Sequence, residues 1–168
     1  GAISTVQGTL SFAYDVDGTR LSRTLAGTTT KFLVDKNVDF PQIIEERSFG
    51  GSVEKSYVLG AELISANDLL VAPSLALHFY HADGKGSARN LTDMAGAVSD
   101  SNVFDAYGNV LGQSGSTANT FLFLGEQFDS GLAQYYLRAR YLTPANGRFS
   151  VADTWEGREE EPATLNKF

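Results

Sequence analysis

The chain has 168 residues, enough for one domain with a core of its own, and 42% of them are hydrophobic, which excludes a wholly disordered chain. A formal net charge of −7 excludes the clustered basic surface by which a protein takes nucleic acid or an anionic membrane as its main partner. The absence of cysteine removes disulfide frameworks, thiolate metal sites and cysteine nucleophiles, and leaves the redox compartment open. No apolar run approaches the roughly 20 residues that span a bilayer as a helix. The opening Gly1-Ala2-Ile3-Ser4-Thr5 lacks the basic and apolar regions of a signal peptide. Both ends fall in sequence that looks interrupted, so the chain is expected to be a piece of a longer one.

Short runs of aromatic and β-branched residues alternate with polar ones along the whole length, the pattern of antiparallel strands. In chain order the expected strands are Thr9 to Tyr14, Lys31 to Val34, Gln42 to Glu46, Glu54 to Leu59, Ala76 to His81, Asn102 to Phe104, Thr120 to Leu124 and Tyr135 to Tyr141. Their connections carry Asp17-Gly18, Gly50-Gly51, Asp83-Gly84, Gly108-Asn109 and Asn146-Gly147, where Gly or Asn supplies the positive φ of a tight hairpin. Ser65 to Leu77 reads as a loop ending at Pro73, with a brief helical turn over Asn67 to Pro73 as the lesser alternative, and Gly112 to Asn119 as an exposed connection that packs little core. Helical periodicity is scarce, and the expected fold is mainly β, built of antiparallel hairpins.

A phrase recurs along the chain: Phe12-Ala13-Tyr14-Asp15-Val16-Asp17-Gly18-Thr19-Arg20-Leu21 and Phe104-Asp105-Ala106-Tyr107-Gly108-Asn109-Val110-Leu111. Looser echoes begin at Phe79 and at Leu142. Each unit can form one hairpin, and hairpins bury their apolar faces only when stacked. Tyr14-Asp15 followed by Gly18, Arg20 and Leu21 resembles the YD repeat of bacterial Rhs proteins. Tyr57-Val58-Leu59-Gly60, the run Tyr80 to Asp93, and Gly125-Glu126-Gln127-Phe128-Asp129 with Gly131 to Tyr141 and Gly147-Arg148-Phe149 resemble the Rhs repeat-associated core in its own order. The resemblance implies a YD-repeat sheet that spirals into a hollow shell, with 1–149 as core β-domain and 150–168 as a truncated C-terminal segment. It further implies a secreted or cell-surface bacterial protein that encloses or displays a toxin, with the rest of the chain, or copies of it joined through sheet edges, as partners.

In such cores the segment after Gly-Arg-Phe carries one carboxylate of an aspartyl-type pair that releases the C-terminal cargo. Asp153 falls at that position, as half of a candidate catalytic site; two carboxylates would have to share a proton for one to serve as base and the other as acid. Thr154 replaces the usual Pro, Ala152 stands where an Arg is often found, and no second Asp follows. The chain alone is therefore not expected to be a competent protease. A turn or capping role for Asp153, and a solvated loop for Glu159-Glu160-Glu161-Pro162, are the plainer readings.

No cofactor or metal is expected. His78 and His81, three apart on a strand, fall on opposite faces. Asp15-Val16-Asp17-Gly18 lacks the downstream Glu of a calcium loop, with Ala26 in its place. Gly84-Lys85-Gly86-Ser87 lacks the spacing of a phosphate loop. A strand Tyr135 to Tyr141 would place Tyr136, Arg138 and Arg140 on one face as ion-paired wall residues. A cell-surface module for carbohydrate or protein is the remaining alternative.

Overall fold

The computed structural model describes residues 2–5, 8–71 and 77–151. Its first eleven strands form a single antiparallel meander in which each strand pairs with the next. They are β1 (Ala2–Thr5), β2 (Gly8–Tyr14), β3 (Arg20–Leu25), β4 (Thr28–Asp35), β5 (Gln42–Ser48), β6 (Val53–Leu59), β7 (Leu63–Asp68), β8 (Leu77–Ala82), β9 (Ala88–Thr92), β10 (Val98–Phe104) and β11 (Val110–Ser114). A second antiparallel sheet comes next, made of β12 (Gln127–Asp129), β13 (Gln134–Leu137), β14 (Arg140–Thr143) and β15 (Arg148–Phe149). The expectation of a mainly β fold with little helix holds.

One turn chemistry makes the hairpins. Asp15, Asp83, Asp93 and Asp105 each accept, on one carboxylate oxygen, the backbone N–H groups two and four residues ahead. Each Asp carbonyl also accepts the N–H of the residue three ahead, a glycine with positive φ in all four turns: Gly18, Gly86, Gly96 and Gly108. The side chain thereby closes the turn that the backbone begins. All four recurrent phrases of the sequence are hairpins: β2–β3, β8–β9, β10–β11 and β14–β15.

The small sheet is covered on both faces. Strand alternation sends Phe128, Tyr135 and Leu142 to one side, where they pack with Phe104 of β10 and with Phe123. Gln127, Asp129, Tyr136 and Tyr141 go to the other side, toward β2–β5. The Tyr135 hydroxyl donates to the Gly108 carbonyl at 2.9 Å, and the Arg20 amide donates to the Tyr136 hydroxyl at 3.1 Å. In a flat sheet β3 and β10 would lie about 34 Å apart, beyond the reach of two adjacent tyrosines, so the large sheet curls round the small one. Gly108 lies so close to this core that an added Cβ would sit 2.6 Å from Phe123 Cδ1.

Several expectations change. Ser65 to Asp68, read as loop, belongs to β7, and Gly112 to Ser114 extend β11. Thr117 and Asn119, beyond it, are tied down: Thr117 N–H donates to Asp100 at 2.9 Å and Tyr80 donates to Asn119 at 2.6 Å. Thr120 to Leu124 is not a strand; Phe121 makes one bridge to Gln127, and a 3-10 turn, Phe123–Gly125, comes after it. That turn is held by Ser87 Oγ, which accepts the Leu124 N–H at 3.0 Å. Tyr135 to Tyr141 is a hairpin, β13–β14, reversed at Arg138 with φ +59°. In the β8–β9 turn the positive φ falls on Gly86, not on Gly84.

Candidate functional site

The chemistry concentrates where β2–β5 meet the small sheet. Arg20 opens β3, directly after the first Asp-x-x-Gly turn, and its side chain is 1% exposed. Its guanidinium carbon lies 4.0 Å from the Tyr136 ring centroid, 4.9 Å from that of Phe32 and 5.4 Å from that of Phe12. One terminal nitrogen donates to the Gln127 side-chain oxygen; the other donates to the Tyr141 hydroxyl at 3.3 Å. That second nitrogen is 3.6 Å from Asp129 Oδ2, whose carboxylate is equally buried. Arg23 Nε stands 2.9 Å from the same oxygen, an ion pair whose angle does not make a hydrogen bond. Asp129 Oδ1 accepts the Gly131 N–H at 3.1 Å, so the residue that turns β12 into β13 is also the counter-ion of the sheet opposite.

Polar contacts continue inward. The Gln127 amide donates to Glu46 Oε1 at 2.9 Å, and the Tyr57 hydroxyl donates to the same oxygen at 2.9 Å. Burial pushes the Glu46 carboxyl above the usual carboxylate range, against the pull of the Tyr57 hydrogen bond and of Lys55, Arg20 and Arg23. The same desolvation raises Tyr57 and Tyr80. At the turns the balance is reversed. The Lys36 contact holds Asp15 low, the Asn109 side chain holds Asp105 low, and at Asp83 desolvation is outweighed by the Lys85 and Ser87 amides together with Arg89.

Beside Arg20 opens a cleft of about 560 Å³, with Tyr14, Val34, Ile43 and Phe40 among its apolar lining and Arg138 and Arg140 beside them. Arg138 is held by Glu126 at 2.7 Å and by the Pro41 carbonyl at 3.0 Å. The guanidinium of Arg140 stacks on Phe149 at 3.9 Å.

The predicted site residue Asp153 lies outside the described residues, as do Glu159 to Glu161. Tyr136, Arg138 and Arg140 do not share a strand face, because the chain reverses between them; Tyr136 faces Arg20, and Arg138 and Arg140 flank the hairpin turn. His78 is buried and His81 is exposed, its Nε2 2.9 Å from Thr92 Oγ1. Asp15 and Asp17 both pair with Lys36. Among the described residues no three His, Cys, Asp or Glu side chains are grouped to hold a metal. In the sequence, Arg20, Gln127 and Asp129 stand out only as letters of matching phrases. The available signal was the spacing of Gln127 and Asp129, two polar residues on one face of an otherwise aromatic strand, in register with Tyr136.

No family model matches the chain. It is 28% identical over 161 residues to the tRNA nuclease WapA of Bacillus subtilis strain 168, covering 94% of this chain and 7% of that protein. The tRNA3(Ser)-specific nuclease WapA of Bacillus spizizenii matches to the same extent, 28% over 161 residues. YibJ of Escherichia coli K12 is 30% identical over 88 residues, 51% of this chain and 38% of that protein. Among solved structures, a chain of TcdB2-TccC3 superposes with a TM-score of 0.67 at 16% identity over 95% of this chain and 8% of its own length. A chain of the Photorhabdus luminescens Tc holotoxin pore superposes with a TM-score of 0.68 at 16% identity over 99% of this chain and 8% of its own. The chain thus spans under a tenth of the WapA proteins and of these toxin chains. It shares the fold of a segment of the latter, and the resemblance to Rhs proteins is supported.

Glu46 makes a test of this interior. A carboxyl raised in the fold contributes stability that is present below its unfolded value and is lost as pH rises through its folded value. Glu46→Gln keeps an oxygen for Tyr57 and Gln127 and removes the charge, so its melting temperature should rise relative to the parent as pH goes from 4 toward 7. Calorimetry across that range would contradict the assignment if the difference stayed constant or turned negative. The depressed turn aspartates act oppositely, and both proteins should lose stability below the ordinary carboxylate range as those groups protonate.

Proposed function

We propose that the chain is a structural segment of an Rhs-type β-shell in a bacterial toxin-delivery protein, secreted or carried at the cell surface, whose shell encloses or displays a toxin domain. The observation that carries this reading is the continuous eleven-stranded meander curling about its own downstream sheet. Its last strand, β11, is exposed along its whole length and, among the described residues, pairs with β10 alone, leaving its other edge to a further strand. The likeness to segments of WapA and of TccC3-containing toxin chains supports it. In this reading residues 1–149 are the core β-domain and the remainder of the larger protein joins through the sheet edges. Residues 150–168 begin a processing segment in which Asp153 supplies one carboxylate of an aspartyl pair, and its partner comes from sequence beyond Phe168.

An open edge predicts association. The purified chain should form concentration-dependent assemblies in light scattering, and Leu111→Lys with Gln113→Lys should weaken them several-fold without moving the melting temperature. A chain that stays monomeric at all concentrations, or assembles unchanged in the variant, contradicts the shell-segment reading. For the processing segment, Asp153→Asn in a chain extended past Phe168 should leave the full-length mass intact where the parent is cut; equal cutting in both removes Asp153 from the reaction.

A further inference from the structure

The middle of the large sheet carries three ionisable side chains in one row across its strands. Glu46 of β5 stands directly opposite Lys55 of β6, and Lys55 directly opposite Asp68 of β7. Lys55 Nζ lies 3.0 Å from Asp68 Oδ2, and the two side chains are only 15% and 12% exposed. Tyr57, His78, Tyr80 and Ala118 line the space around the pair, which at about 10 Å³ scarcely admits one water. Both partners are held more closely than an ion pair alone demands. Asp68 Oδ1 accepts the Leu70 N–H at 3.0 Å, and Lys55 Nζ donates to the Ala118 carbonyl. An amine is thus pinned against a carboxyl group, one oxygen of which already faces a backbone amide. On the other side of Lys55, the bonds from Tyr57 and Gln127 both fall on Glu46 Oε1, which leaves Oε2 to carry a proton. Burial keeps that carboxyl protonated above the usual carboxylate range.

We propose that Lys55 and Asp68 condense into an amide that ties β6 to β7, with Glu46 as the proton relay. The ammonium first passes one proton to Asp68 Oδ2, which gives a neutral amine beside a neutral acid. The nitrogen lone pair attacks Asp68 Cγ, a C–N bond forms, and the charge that gathers on Oδ1 meets the Leu70 N–H. The Cγ–Oδ2 bond then breaks. Oδ2 leaves as water with a second proton given by Glu46, and Glu46 recovers one from the nitrogen. Two of the three ammonium protons depart with the oxygen, and the third remains on the amide, directed to the Ala118 carbonyl. No oxidant or reductant is needed. The dry site favours the step, because it removes two charges from a place where they are poorly solvated. Holding amine against carboxyl also replaces a collision with an intramolecular reaction. In a chain without cysteine, this bond supplies the cross-link between strands that a disulfide cannot.

Mass spectrometry of the denatured chain tests this directly. The parent should be lighter than its sequence by one water. Trypsin should release Ser48 to Lys85 as a single peptide, uncut at Lys55 and carrying that deficit. Lys55→Arg keeps a cation opposite Asp68 and cannot form this amide, so it should show the full sequence mass, as should Asp68→Ala. Glu46→Gln should reach the same final mass as the parent, but several-fold more slowly when the mass is followed from synthesis. A parent of full sequence mass that trypsin cuts at Lys55 overturns the proposal. A deficit that persists in Lys55→Arg overturns it too, since the water would have been lost elsewhere. Equal rates for the parent and Glu46→Gln overturn the relay.

Discussion

A guanidinium taken out of water has to be satisfied where it lies, and the architecture follows from how Arg20 achieves this. Desolvating a charge costs several kcal/mol unless it is paired and hydrogen-bonded. Three rings, two hydrogen bonds and the Asp129 carboxylate meet most of that demand, leaving Nε without a hydrogen-bond partner, and they come from β2, β4, β12, β13 and β14. No local segment could supply them. Arg20 gains these partners only when the small sheet is folded and docked, so a local turn near the start of the chain is coupled to strands more than 100 residues later. Lysine could not substitute, because a point charge has neither the planar face for the rings nor the fork for two acceptors.

The Asp-x-x-Gly turns set the wall on which that junction is built. Each is self-contained, with carboxylate, amides and glycine inside five residues, so the meander can be extended by repetition with little information per hairpin. Curvature is where non-local contacts enter. Tyr135 and Tyr136 are neighbours on opposite faces of β13, and they tie the β10–β11 turn and the start of β3 to one strand. The wall is thus generic, and the inner sheet gives it its curvature.

Three of the four Asp-x-x-Gly turns were legible through the Gly dipeptides Asp17-Gly18, Asp83-Gly84 and Gly108-Asn109, whereas the turn from Asp93 to Gly96 was not, because its glycine stands between two alanines with no Asx beside it. The hairpin phrases followed from them. Strands β3 and β9 were harder to see: Arg20-Leu21-Ser22-Arg23-Thr24-Leu25 and Ala88-Arg89-Asn90-Leu91-Thr92 carry charge and amide groups where an apolar face was sought. The interior of this sheet is itself polar, with Arg20, Asp68, His78, Asp100 and Asn102 all buried, so simple alternation of apolar and polar residues fails there. The reversal at Arg138 was hidden because a non-glycine residue takes the positive φ, held by Glu126 and the Pro41 carbonyl. The junction of Arg20, Gln127, Glu46 and Asp129 joins separate segments of the chain, and no local pattern announces it.

The most direct test is a double-mutant cycle between Arg20 and Asp129, read by chemical denaturation of the parent, Arg20→Met, Asp129→Asn and the double variant. If the buried pair couples the two sheets, the double variant should lose less stability than the sum of the two single losses, with an interaction energy of about 1–3 kcal/mol. Additive losses would show that Arg20 and Asp129 act independently, and that something other than this junction holds the inner sheet to the wall.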